Sequence, residues 1–72
     1  MNKKNKIKIV VNGKLLTVNA KFSLKNLIEK LKTPINKVAI ELNEEIVDKK
    51  KLNNINLKKN DIIEIVHFIG GG

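Results

Sequence analysis

Seventy-two residues set the scale of a single domain, close to the lower limit at which an apolar core holds without covalent staples. No cysteine and one histidine exclude disulfides, thiolate ligands and a structural zinc, which usually needs four ligands. Fifteen lysines, no arginine and seven acidic residues give a net charge of +8, without the planar forks used for bidentate guanine or phosphate recognition.

In chain order, Ile7, Ile9 and Val11 alternate with Lys6, Lys8 and Val10, the period-two pattern of a half-buried strand. Asn12-Gly13 follows at once and is the strongest short hairpin signal, because both residues tolerate positive φ. Lys14 to Val18 returns as a second strand, with Leu16 and Val18 as its inward pair. Ser23 is placed to cap a helix, and Phe22 and Leu27 stand at the spacing of a hydrophobic staple. Leu24, Leu27, Ile28 and Leu31 recur at helical spacing, opposite Lys25, Lys30 and Lys32, so the helix runs near Leu24 to Lys32 and Pro34 stops it shortly beyond.

Val38, Ile40 and Leu42 form a third strand by the same alternation, Asn43-Glu44 a turn, and Glu45 to Val47 a short fourth strand. Asp48 to Asn56 is a loop or one helical turn anchored by Leu52 and Ile55. Its Lys49-Lys50-Lys51 run reads better as a solvated face than as a nucleic-acid patch. Lys58 to Asp61 is a further turn, and Ile62 to Phe68 the last strand. The expected core is Ile7, Ile9, Leu16, Val18, Leu27, Leu31, Ile40, Ile63 and Ile65.

That last strand is apolar on both faces. With Ile63 and Ile65 inward, Ile62, Val66 and Phe68 point away. Two accounts stand open: a partner surface, or a loop laid over Val66 and Phe68. Directly after it comes Ile69-Gly70-Gly71-Gly72. Glycine packs nothing and is costly to order, so a run of three suits a thin, flexible tail able to enter a narrow enzyme channel. A carboxylate on Gly72 could there be activated as an acyl-adenylate. The plain alternative is an end with no role, since termini are often disordered.

Other chemistry is scarce. His67 has only Ser23 as a serine partner, so no serine–histidine–acid set assembles. Tryptophan and tyrosine are absent and there are two phenylalanines, which leaves poor stacking platforms for nucleic acid. The lysine excess serves solubility and steering toward acidic partner proteins. Met1 to Lys8 is lysine-rich but lacks the following apolar core of a signal peptide, and no segment is long enough to span a membrane. The expectation is a cytoplasmic chain with no membrane partner.

The order hairpin, helix, strand, short strand, last strand and Gly-Gly is similar to the ubiquitin-like β-grasp, an α+β fold with a mixed four- to five-stranded sheet and one main helix on one face. More closely, the chain resembles the thiamine-biosynthesis sulfur carrier proteins. The matching stretches are Val11-Asn12-Gly13, Ser23-Leu24 with Leu27 and Leu31, and Val38 to Asn43 with Glu45-Ile46-Val47. Asn60-Asp61, Ile63 to Val66 and His67 to Gly72 complete them, so the resemblance covers residues 1–72 as one domain with tail 69–72. Asn60 stands where glycine is usual, and asparagine is the next best residue for a left-handed turn.

The resemblance implies a protein co-substrate and not an enzyme. An adenylating, E1-like enzyme would use ATP and magnesium to activate Gly72. A sulfur-donating persulfide protein would convert it to a thiocarboxylate, and thiazole synthase would receive the sulfur. Gly70 and Gly71 would thread the partner site, and Ile62, Val66, Phe68 and Ile69 would dock. The carrier itself would bind no cofactor or metal, would be monomeric when free, and would have no specific nucleic-acid partner. Alternatives are a molybdopterin synthase small-subunit-like carrier, a protein-conjugating modifier, and a β-grasp RNA-binding module.

Overall fold

In a computed structural model, residues 5–68 are described. A five-stranded mixed sheet has the order β2-β1-β5-β3-β4. Its strands are β1 (Lys6–Val11), β2 (Lys14–Asn19), β3 (Val38–Leu42), β4 (Glu45–Ile46) and β5 (Ile62–His67). The helix α1 (Leu24–Lys30) packs on one face, and two 3₁₀ segments, Ile35–Lys37 and Lys49–Asn54, lie in the connections. β1 pairs parallel with β5, while β1 with β2, β3 with β5 and β3 with β4 are antiparallel. The expected β-grasp is the observed one.

Turn chemistry sets the registers. Asn12 and Gly13 both take positive φ, as a type I′ hairpin requires, and Ile9 faces Leu16 across it. Asn12 then reaches β5: its amide donates to the Ile63 carbonyl at 2.9 Å, and its Oδ1 accepts from the Ile65 amide at 2.8 Å. Asn43 and Glu44 likewise both take positive φ between β3 and β4. Asn60, at φ 72°, opens the approach to β5.

The helix begins as its sequence requires. Ser23 Oγ accepts from the Asn26 amide at 3.0 Å, and Asn26 Oδ1 accepts from the Ser23 amide at 3.1 Å. This reciprocal box satisfies two otherwise orphaned donors. The end is different from expectation. The Lys32 amide donates to the Glu29 carbonyl and the Thr33 amide to that of Ile28, with Lys32 at φ 55°. These are the two bonds of a Schellman motif, so the helix stops at Lys30 before Pro34 can act.

Leu31 is consequently not core. It is the C-cap residue and 39% exposed, because the chain turns away one residue before the stripe's next inward position would be reached. Ile7 and Leu16 are half-buried at the margin. The centre is Ile9, Val18, Leu24, Leu27, Ile28, Val38, Ile40, Ile63 and Ile65, closed from below by Leu52 and Leu57. Leu57 enters because residues 55–57 pair back on the helix start: the Leu24 amide donates to the Ile55 carbonyl and the Leu57 amide to that of Phe22.

Candidate functional site

β5 carries the residues read as a docking surface. Ile63 and Ile65 are buried, whereas Ile62, Val66 and Phe68 are 46%, 52% and 57% exposed. The strand parity is as expected, and the loop-cover account of Val66 fails: among the described residues Val66 stands open. β5 ends at His67, but the Phe68 amide still donates to the Lys37 carbonyl at 2.9 Å, which holds the backbone in line.

Phe68 has one companion that local reading missed. Lys49 Nζ lies 5.4 Å from the centroid of its ring, a cation–π distance. Ile69, Gly70, Gly71 and Gly72, named above as docking, threading and reacting residues, lie outside the described residues, as does the expected flexible tail 69–72.

The open face of the sheet extends the patch. Val10 stands beside Ile62 in the parallel pair and opposite Leu15 on β2, so Leu15, Val10 and Ile62 form a row across three strands. Leu15 is 72% exposed. Its signal was in the sequence: if Leu16 points inward, Leu15 must point out. Further along, Val66 faces Ala39, and Glu64 faces Glu41 directly. The outward surface thus carries an apolar row, with Glu41 and Glu64 on one side of it and the exposed Lys6 and Lys8 further along β1.

One buried carboxylate fixes where β5 starts. Asp61 is 8% exposed and accepts from the Lys58 amide at 2.7 Å and from Asn43 Nδ2 at 3.0 Å. Asn43 Oδ1 in turn accepts from the Ile62 amide at 2.8 Å. The β3–β4 turn and the β5 entry are therefore one hydrogen-bonded unit, which sets the outward angle of Ile62. No group of three or more His, Cys, Asp or Glu positioned to hold a metal occurs among the described residues. No helix among them is long and apolar enough to cross a membrane.

A family model described as the ThiS family matches residues 4–72. The chain belongs to the ThiS family. The thiazole synthase of Paramagnetospirillum magneticum is 38% identical over 66 residues, which are 92% of this chain and 20% of that protein. The thiazole synthase of Magnetococcus marinus gives the same figures. The sulfur carrier protein ThiS of Bacillus subtilis is 49% identical over 35 residues, 49% of this chain and 53% of that protein. The chain thus matches about a fifth of the length of these thiazole synthases and about half of the Bacillus ThiS.

The crystal structure of a thiamine biosynthesis protein (ThiS) from Geobacter metallireducens shares the fold at a TM-score of 0.80 and 30% identity, covering 92% of this chain and 100% of that one. The Bacillus relative is thus a sulfur carrier protein by name and the Geobacter structure a thiamine biosynthesis protein, the class that the sequence resembles. Membership of the ThiS family favours this class over the molybdopterin-synthase and RNA-binding alternatives.

Proposed function

We propose that this ThiS chain carries sulfur as a thiocarboxylate on Gly72 and gives it to thiazole synthase for the thiazole ring of thiamine. The carboxylate oxygen attacks the α-phosphorus of ATP, held with magnesium by an adenylating partner, and pyrophosphate leaves. A persulfide sulfur attacks the activated acyl carbon and AMP leaves. That step forms a C–S bond; a thiol then cleaves the persulfide's own S–S bond in the acyl disulfide, releasing the thiocarboxylate and a disulfide. Sulfur rides on the main chain, so a sequence without cysteine can carry it.

The observation that carries this reading is the placement of Ile62, Val66 and Phe68. Ile62 and Val66 are exposed on β5, and Phe68 just after it, directly before Ile69-Gly70-Gly71-Gly72 in the sequence. A partner seated there by apolar contact holds the chain end over its own reactive groups, with Gly70 and Gly71 giving room for close backbone approach. The carrier supplies recognition and reach, and its partners bind the nucleotide and perform the chemistry in the cytoplasm. The free carrier is monomeric and takes no specific nucleic acid.

The test is intact mass after incubation with ATP, magnesium, the cognate adenylating enzyme and a persulfide donor. A gain equal to exchange of one oxygen for sulfur is expected. An unchanged mass under conditions that activate the enzyme's own carrier control removes the reading.

A further inference from the structure

On the helix side of the sheet, α1 and the 3₁₀ segment Lys49–Asn54 enclose a groove of ≈ 400 Å³. Its floor is apolar, formed by the buried Ile28 and Leu52 with the half-buried Ile35. Lys25, Lys32, Lys49 and Lys50 line it, against Glu29 as the one acid. Lys49 alone links it to the patch, through the Phe68 ring; the Gly72 chemistry does not use this groove.

An apolar floor selects carbon side chains, and a cationic rim selects carboxylates. Its lining holds no aromatic ring for base stacking and no arginine fork for phosphate, which disfavours nucleic acid. Position adds the second argument. Lys49 lines the groove and also sits over the Phe68 ring, so the groove is continuous with the point where the last strand gives way to residues 69–72. Whatever protein grips that point lies within reach of the groove.

We infer that this groove docks an acidic, amphipathic segment of the protein partner that takes the carrier's C-terminal residues. The sheet face and the groove then hold the carrier from two sides by different chemistry: apolar contacts around Ile62 and Val66, and opposite charge at the lysines. Two unlike contacts fix orientation as one apolar patch cannot. The identity of the partner rests on the sulfur-carrier reading, whereas the chemistry of the occupant rests on the groove.

The probes are the cognate adenylating enzyme and the cognate thiazole synthase, each titrated separately against the full-length carrier. Lys32→Glu with Lys50→Glu, which leaves the Lys49–Phe68 contact in place, is expected to weaken at least one of them about tenfold or more, with the loss shrinking as salt rises. Lys25→Glu, on the helix, is expected to weaken the same partner and serves if the double variant does not fold. In the wild-type complex the methyl signals of Ile28 and Leu52 are expected to shift. Affinity for both partners within about twofold of wild type, with those methyls unmoved, overturns the inference. So does an equal loss from Lys21→Glu with Lys59→Glu, exposed in turns outside the groove lining and the sheet-face row, which would mean general charge alone. An RNA oligomer that moves the same methyls at submicromolar concentration also overturns it. Wild-type mass gain is read in the same samples: its absence counts against the sulfur reading, and unchanged partner affinity counts against the groove.

Discussion

Replacing Phe68 by alanine separates a docking residue from a core residue, because the two roles load different equilibria. Phe68 is 57% exposed, so a little under half of its surface is covered by the fold. Full burial of such a side chain is worth about 1.5–3 kcal/mol, which scales here to about 0.6–1.3 kcal/mol. The Lys49 ammonium over the ring adds about 0.5–1 kcal/mol at an exposed site. Truncation is therefore expected to cost about 1–2 kcal/mol of folding stability, measured by urea denaturation at constant slope. Affinity for the adenylating enzyme should fall by about 2 kcal/mol or more, close to thirtyfold. Lys49→Ala alone and combined with Phe68→Ala gives the coupling between ring and ammonium, expected at about 0.5–1 kcal/mol. A stability loss above about 3 kcal/mol with unchanged partner affinity would make Phe68 a core residue and refute the reasoning.

Leu27→Ala, at a side chain with no exposed surface, should cost about 2–5 kcal/mol in the same assay; a loss under about 1 kcal/mol would put the helix on the wrong face. Lys32→Gly should stabilise by about 0.5–1 kcal/mol, read as a raised urea midpoint, because a lysine now occupies the left-handed position of the Schellman motif. Deleting Gly72 should abolish the mass gain of activation without moving the urea midpoint. It draws the carboxylate back by about 3.3 Å, where about 1 Å can already cost on the order of a hundredfold in rate. Any RNA binding should weaken steeply with salt in a filter or fluorescence titration, and submicromolar, sequence-selective binding at physiological salt would contradict the assignment.

What was legible in the sequence is what short-range chemistry decides. Asn12-Gly13 specified the first hairpin, Ser23 the helix start, and the alternation of Ile62 to Val66 the inward and outward faces of β5, because each depends on residues a few positions apart. The exposed half of the docking patch followed from that parity. Leu31 was misread because a periodic stripe says nothing about where a helix stops, and the stop came from a backbone motif with lysine in the place glycine usually takes. Leu57 and the Lys49–Phe68 contact join segments far apart in sequence. Neither leaves a periodic trace, so only the assembled fold brings them together. The Asp61–Asn43 bond is of the same kind, linking two turns that look independent when read along the chain.

Placing β5 between β1 and β3 has a mechanical consequence for the proposed capture of the chain end by a partner. A partner that pulls on residues beyond Phe68 loads β5 along its own axis. Both of its edges are bonded: to β1 through Val10, Asn12 and their partners, and to β3 along the register from Val38–His67 to Leu42–Ile63. The pull is therefore taken in shear by all these bonds at once, and not by peeling them one after another as at a sheet edge. The strand under traction is held along both edges, so a pull on the chain end must shear two ladders before it can free β5.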